Sequence, residues 1–219
     1  MLEGYTGRLR KGSVRASHPI ILAHQMNMDI IDVIRTRHSI RKYQDRQIEH
    51  EDLEKIIEAG LRAPNAGGRQ GSIIIGVHNA IITEQIGKLN IANFDRSALL
   101  GNYVSEEQPS IIDDPNIKSG FYGAPSVCVV FGPEDFMYSV ADAFCCAENM
   151  ILEAHSLGLA SCIIARGEET FTGKDGRKFL ADWEIPEGYI ARCFVLLGSI
   201  DGKQPSPKIL HEGRSRIID

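Results

Sequence analysis

The sequence predicts a single domain in which a buried β-sheet is covered by helices on both faces. Three short runs rich in β-branched and other apolar residues, at 73–77, 127–131 and 193–197, have the composition of fully buried strands. The segment 135–157 has apolar residues at helical spacing and few charges, so we expect a helix in the centre of the molecule. With 219 residues and 43% hydrophobic content, the chain is large enough for one such core.

Two shorter helices are predicted before the first strand. The apolar residues of 30–34 fit a short helix that ends at the basic stretch 35–43. Apolar residues repeat at helical spacing over 53–61, so a second amphipathic helix runs to about Arg62. The segment 63–68, Ala-Pro-Asn-Ala-Gly-Gly, then ends that helix.

Composition and charge narrow the classes of function. The 24 Lys and Arg residues against 29 Asp and Glu give a net charge of -5, which argues against nucleic acid as the partner because phosphates require a basic surface. The sequence has no apolar stretch near the roughly 20 residues of a membrane-spanning helix. The apolar stretch 20–23 is also too short for a secretion signal. We therefore expect a cytoplasmic protein that does not bind membranes.

The spacing of the cysteines and histidines gives no sign of a metal site or a redox motif. The cysteines form no CxxC pair and no zinc-like cluster, and each lies in an apolar segment, so we expect buried thiols in a reducing cytoplasm: Cys128, Cys145, Cys146, Cys162 and Cys193. The seven histidines likewise lack metal-ligand spacing, so no metal is expected.

Residues 1–26 show no sustained periodicity, and we expect an arm or extension before a domain at 27–219.

The residues that carry chemistry are cations and small polar groups at helix ends. The sequence contains no GxSxG, HExxH, GxxxxGK[ST] or GxGxxG motif in the required context, which excludes several common enzyme types. Arginines near residues 35–41 and 214–216 can instead bind a phosphate, because a guanidinium presents a planar fork of donors. The alternative for any single arginine is a solvated basic surface.

The stretch 95–120 is long and irregular for a compact domain. Loops of this length often cover active sites, and the alternative is a surface insertion without such a role. The sequence leaves both interpretations open.

Five segments together resemble the FMN-binding nitroreductase family. Residues 37–43, Arg-His-Ser-Ile-Arg-Lys-Tyr, are similar to the motif that opens the family, R-[RH]-S-x-[RK] followed by an aromatic residue. Further similar segments follow in the order and spacing of the family: 63–70, 123–125, 147–162 and 185–208. The resemblance covers about residues 28–219.

This resemblance implies a fold, a cofactor and an assembly. It implies an α+β domain with a mixed sheet flanked by helices, in an interlocked homodimer with each FMN in the interface between subunits. It also implies NAD(P)H as electron donor and a small oxidised acceptor, such as a nitroaromatic or quinone, reduced by a ping-pong mechanism. The protein then positions FMN and tunes its potential, and we expect no catalytic side chain.

The motifs also imply roles for individual residues. Arg37, His38 and Ser39 would hold the FMN phosphate and ribityl chain, with Lys208 and Arg214 closing on the phosphate. Arg41 would lie at the pyrimidine edge of the ring. Further contacts would come from backbone groups of the 162–167 exit loop, and the residues that line the ring and ribityl chain or shape the pocket would be Pro64, Asn65, Ala66, Gln70 and Ile164. The alternative for Asn65 is a purely structural cap of the turn.

Two departures from the family pattern affect the ring contacts. Gly68 stands where many members have Asn, which removes a side-chain amide that would bond the ring edge. Gly71 and Ser72 stand where members have Pro-Trp. These departures leave open a flavin-binding carrier or sensor without turnover. Two further hypotheses are a related flavin enzyme, such as a reductive dehalogenase or a flavin-fragmenting enzyme, and a plain structural domain.

Overall fold

The computed structural model describes residues 28–92, 108–111, 113–206 and 209–218. Within these ranges the helices are α1 (Ile30–Thr36), α2 (His50–Leu61), α3 (Ala80–Ala92), α4 (Ser139–Ser156) and α5 (Lys174–Asp182). The strands are β1 (Ile73–Val77), β2 (Ser126–Pro133), β3 (Ala160–Ile164) and β4 (Tyr189–Gly198), and a short 3-10 turn spans Ala66–Gly68. The proposed N-terminal arm, the 95–107 part of the irregular stretch and Lys208 lie outside the described residues.

The four strands form an antiparallel sheet in the order β1-β2-β4-β3. The expectation of a mixed sheet is therefore wrong for these strands, and parallel pairing occurs at the isolated bridge between Ser39 and Ser161. The apolar composition that is typical of parallel strands has another cause here. Helices pack on both faces, so antiparallel strands are buried on both sides as well.

Side chains of β2 alternate between two cores. Cys128 and Val130 face α2 and α4, where they pack with Met150. Val129 and Phe131 face the opposite side and join an aromatic cluster. This alternation follows from the two-residue period of a strand, and it places α4 flat against the sheet.

The predicted strands and the first two helices are confirmed; β1 has the predicted bounds, and β2 and β4 are longer than the sequence indicated. The central helix begins at Ser139 rather than near residue 135, because 135–138 form turns. Its buried face includes Ala147 and Ile151 as expected, whereas Val140 is exposed. The sequence-based prediction missed α3, β3 and α5.

All five cysteines are free, and four are buried, whereas Cys145 is half-buried. Among the described helices, none has both the length and the apolar character needed to cross a membrane.

Candidate functional site

Residues 37–41, which we call the arginine segment, leave α1 and run along the edge of β3. Arg37 ends the helix: its N–H donates to the Val33 carbonyl, but its own backbone is extended, with φ -65° and ψ 137°. The Ile40 N–H donates to the Ser161 carbonyl at 2.9 Å. Because the Ile40 side chain is also buried, the segment is fixed by both sheet pairing and packing.

Three of the predicted site residues, Arg37, Ser39 and Arg41, alternate along this segment and are half-buried. Successive side chains of an extended backbone point to opposite sides, so these three project on one side of the segment. Burial raises the pKa of the Cys162 thiol in β3, while Arg41, a hydrogen bond with Ser39, and Arg37 act in the opposite direction. Two guanidinium groups and a hydroxyl on one side of the segment form a suitable environment for an anionic group.

His38 lies on the other side of the segment and is buried. After burial, Arg37 and then His38 lower the pKa of His155 near the end of α4. Successive side chains of an extended segment point to opposite sides, which separates His38 from Ser39. His38 therefore belongs to the interface between the arginine segment and α4.

Two residues that the motifs did not indicate contact Arg41. The side-chain oxygen of Gln108 accepts the Arg41 N–H at 2.6 Å, and the Gln108 carbonyl accepts Arg41 Nη1 at 3.2 Å. The Arg41 guanidinium also lies 5.9 Å from the centroid of the Tyr122 ring. Gln108 belongs to the irregular stretch 95–120, so this stretch contacts the candidate site at Gln108.

Residues 64–70, which we call the glycine loop, connect α2 to β1 in a compact turn. Gly67, Gly68 and Gln70 all have left-handed backbones, with φ of 64°, 64° and 51°. The Asn65 side chain closes the turn, since its Oδ1 accepts the Gln70 N–H at 2.8 Å and its Nδ2 donates to the Ala63 carbonyl at 3.4 Å. This geometry favours the structural interpretation of Asn65.

The outer residues of the glycine loop are available to a ligand. Pro64 and Gln70 are exposed, and Asn65 and Ala66 are half-buried. The Ala66 N–H donates to Asp142 of α4 at 2.9 Å. The loop is therefore tied to the beginning of α4.

The arginine segment and the glycine loop lie far apart within one chain. Along α4, Asp142 contacts the loop and His155 lies 2.8 Å from the Thr36 hydroxyl, next to the arginine segment. Thirteen residues separate these two contacts, which corresponds to about 20 Å along a helix.

The sheet gives the same distance by a second route. The arginine segment pairs with β3, whereas the glycine loop leads into β1 at the other edge, about 14 Å away across three strand spacings. The pairing rows of Ser161 and Ile73 are also offset by five residues of β2, or about 17 Å, and the two offsets combine to about 22 Å. The two predicted halves of the site are therefore separated within one chain.

Two further predicted site residues lie in the described part of the chain, Ile164 and Arg214. Ile164 is the last residue of β3 and its side chain is buried in the sheet core, so the expected 162–167 exit loop is a strand through Ile164. Burial of this apolar run, paired with β4, explains the difference. Arg214 is exposed in the C-terminal segment 209–218.

Comparison with known proteins gives consistent matches. The sequence model of the Nitroreductase family matches residues 34–199. A protein from Archaeoglobus fulgidus, provisionally named NADH dehydrogenase/NAD(P)H nitroreductase, is 30% identical over 78% of this chain and 84% of its own length. A protein of the same provisional name from Methanothermobacter thermautotrophicus is 30% identical over 61% of this chain, but the match spans only 59% of that protein.

Solved structures agree with the sequence matches. The nitroreductase with bound FMN from Bacteroides fragilis superposes with a TM-score of 0.71 and 25% identity, covering 88% of this chain and 100% of that one. The nitroreductase with bound FMN from Desulfitobacterium hafniense gives a TM-score of 0.69, also at 25% identity, with the same coverage. Because the family's sequence model spans most of the chain and these structures share its fold, the chain belongs to the nitroreductase family.

Proposed function

We propose that the protein is an FMN-dependent oxidoreductase that transfers electrons from NAD(P)H to a small oxidised acceptor of the nitroaromatic or quinone type. Family membership supports the reaction class, and the bound FMN of the two similar structures supports the cofactor. The provisional names of the sequence relatives support the nicotinamide donor. The free thiols fit a reducing cytoplasm as its location.

The observation that carries the proposal is the pair of cations on one side of the arginine segment. Arg37, Ser39 and Arg41 alternate along this extended segment at the edge of β3, which suits an anionic cofactor. Arg37 and Ser39, with His38 supporting the segment from the α4 side, would hold the phosphate and ribityl chain. Lys208 and Arg214 would close on the phosphate from the C-terminal end.

Arg41 has a different proposed role, at the pyrimidine edge of the flavin ring. When bound, FMN accepts two electrons from the nicotinamide and passes them to the acceptor. The Arg41 guanidinium keeps its charge at physiological pH, so it would stabilise negative charge that develops on the ring. Gln108 accepts hydrogen bonds from the Arg41 backbone N–H and from Arg41 Nη1, which fixes the position of the guanidinium charge.

The separation of the two segments supports a homodimer with sites shared between subunits. About 20 Å along α4 is too far for the arginine segment and glycine loop of one protomer to line the same part of one cofactor. A two-fold axis can bring the arginine segment of one subunit to the glycine loop of its partner. Pro64, Asn65, Ala66 and Gln70 would then contact the FMN held by the arginine segment of the other subunit, with backbone groups near Ile164 adding contacts.

The first test is the visible spectrum of the purified protein after FMN is added and excess is removed by gel filtration. We expect a retained flavin peak that bleaches anaerobically with NADH or NADPH and recovers when a quinone or nitroaromatic compound is added. Protein that retains no flavin contradicts the proposal. A retained peak that neither nicotinamide bleaches indicates instead the carrier or sensor, which the Gly68 and Gly71-Ser72 departures leave open.

Mixed dimers test the shared site. Arg37→Ala disables the arginine segment, and Ala66→Trp blocks the glycine loop. If each site uses both subunits, subunit exchange between the two variants in equal amounts restores about a quarter of all sites, because half of the dimers are mixed and each has one intact site. Mixing that restores no FMN binding, although native mass spectrometry shows mixed dimers, contradicts the shared site.

A further inference from the structure

The glycine loop is held by α4 rather than by the sheet. Asp142, in the first turn of α4, accepts the Ala66 N–H at 2.9 Å and is only 7% exposed. A hydrogen bond to a buried carboxylate is stronger than one between neutral groups. The positive end of the α4 dipole also stabilises a carboxylate at this position.

A second contact from the same face of α4 reaches the chain just after the loop. Cys146 lies one turn after Asp142, and burial raises the pKa of its thiol while a hydrogen bond with Ser72 opposes that shift. Ser72 is one of the residues at which this chain departs from the family pattern. Asp142 and Cys146 therefore hold the loop near its beginning and just beyond its end.

The beginning of α4 is itself fixed. The buried Arg192 donates from Nε to the hydroxyl of Ser139, the first residue of α4, at 3.0 Å. It also donates to the carbonyls of Pro133 and Glu134 at 2.7 and 2.9 Å. Asp142 is consequently attached to a rigid part of the molecule, where β2 and β4 meet the helix.

The glycine loop needs such an anchor because its backbone is strained. Gln70 adopts a left-handed φ of 51° although it has a side chain, which costs about 1 kcal/mol. Gly67 and Gly68 give the loop additional conformational freedom. Without an external contact, the loop has both a reason to relax and the flexibility to do so.

We propose that Asp142 is a positioning residue for the flavin: it fixes the glycine loop in the conformation that contacts the ring and ribityl chain. This inference rests on the proposed function. In this proposal Asp142 does not contact the cofactor. The glycine loop contacts the ring and ribityl chain, whereas the arginine segment holds the phosphate. The two parts of the site should therefore respond to different variants.

The test measures the affinity of Asp142→Ala for FMN and for riboflavin, which has the ring and ribityl chain but no phosphate, by quenching of flavin fluorescence. We expect both dissociation constants to rise about tenfold, the effect of losing one charge-assisted hydrogen bond. The ratio between the two constants should stay as in the native protein. In Arg37→Ala, by contrast, only the FMN constant should rise.

Two further variants separate positioning from general destabilisation. Asp142→Asn keeps an acceptor oxygen at the same position, so its affinity for both flavins should return to within about threefold of native. Asp175→Asn removes a first-turn acid of α5, an exposed side chain, and should leave both affinities unchanged. Amide hydrogen exchange of the apo protein should show faster exchange at Ala66 in Asp142→Ala, but not in Asp175→Asn.

Unchanged flavin affinity in Asp142→Ala, or a change in FMN affinity alone, overturns the inference while leaving the proposed function intact. If Asp142→Ala does not fold, Asp142→Asn provides the test. A tenfold loss of affinity for both flavins in Asp142→Asn, with unchanged stability, contradicts the role of the Asp142 oxygen as acceptor. Native protein that binds neither flavin overturns the proposed function and this inference together.

Discussion

The arginine segment and the glycine loop differ in what fixes their backbones. The arginine segment pairs with β3 through Ile40 and Ser161, and its backbone stays in ordinary extended conformations at Arg37. The glycine loop has three left-handed residues and is held by side-chain acceptors, from Asn65 within the loop and from Asp142 outside it. One half of the candidate site is part of the sheet, and the other is a strained turn attached to a helix.

This difference separates stability from binding. A change at Ile40, a buried residue of the arginine segment, should affect the whole fold, because sheet pairing and burial occur at the same residue. A change in the exposed part of the glycine loop should affect cofactor binding without unfolding the protein. Single substitutions in each segment test that division.

Ile40→Ala should be the most damaging single change. Ile40 belongs to the arginine segment and is only 2% exposed, so truncation of its side chain should lower the free energy of unfolding by about 3 kcal/mol. Urea denaturation followed by circular dichroism measures this change. Ile81→Ala is the control, because Ile81 is 73% exposed and should cost less than about 0.5 kcal/mol. Equal losses in the two variants would show that the segment is not part of the core.

Arg37→Ala should leave the fold intact and weaken FMN binding about 100-fold, because a charge-assisted contact to phosphate is worth about 2–3 kcal/mol. Riboflavin affinity should not change. Arg35→Ala is the matched control: Arg35 is exposed in the last turn of α1, 3.8 Å from Asp32, and lies outside the arginine segment. Isothermal titration with both flavins gives the comparison, and equal losses in Arg35→Ala and Arg37→Ala would contradict a specific phosphate contact.

The local geometry of the arginine segment is easier to predict from sequence than that of the glycine loop. In the first, residues of one short motif alternate along an extended backbone, so Arg37, Ser39 and Arg41 project on one side. In the second, the decisive contact comes from Asp142, which is 76 residues from Ala66 in the chain. Hydrophobic periodicity along one segment contains no information about such long-range pairs.

The same limit explains the missed elements and the strand directions. The helix α3 has apolar residues on several sides and a weak helical pattern. The strand β3 is as long as β1, but it begins with Ala-Ser-Cys and so lacks the β-branched composition that indicated β1. Buried strands are apolar whether their neighbours run parallel or antiparallel, so composition could not reveal the order of the sheet. Gln108 was missed because nothing in its local sequence indicates the contact with Arg41.

Gln70→Gly tests whether the strain in the glycine loop serves binding. Glycine adopts a left-handed backbone at little cost, so the variant should be as stable as the native protein or more stable by up to about 1 kcal/mol. Loss of the side-chain amide should nevertheless weaken FMN binding about fivefold, the effect of one neutral hydrogen bond.

Glu184→Gly is a close control for that variant. Glu184 has a φ of 53°, similar to the 51° of Gln70, and it follows the end of α5 as Gly158 follows α4. It should gain stability to a similar extent without changing FMN affinity. Thermal melts and flavin titrations of both variants give the result. An equal loss of affinity in Glu184→Gly would show that Gln70 has no special role.

The smallest effect concerns pH and the contact between α4 and the arginine segment. The Thr36 hydroxyl donates to the Asp32 carbonyl at 2.6 Å, so it accepts from His155 Nε2–H at 2.8 Å. Burial, Arg37 and His38 all lower the pKa of His155 below its usual value of about 6.5.

The sign of the pH dependence follows from that lowered pKa. As the pH falls below about 6.5, the unfolded chain binds a proton that the folded His155 resists, so stability decreases until the pH reaches the lowered pKa. Above a pH of about 6.5 this contribution is fully present. His155→Gln should therefore show a shallower loss of stability between neutral pH and a pH of about 5 than the native protein, measured by urea denaturation. His211→Gln, an exposed site in the C-terminal segment, is the matched control and should follow the native curve. A native slope in His155→Gln would mean that the proton is taken up elsewhere and that the end of α4 does not sense pH.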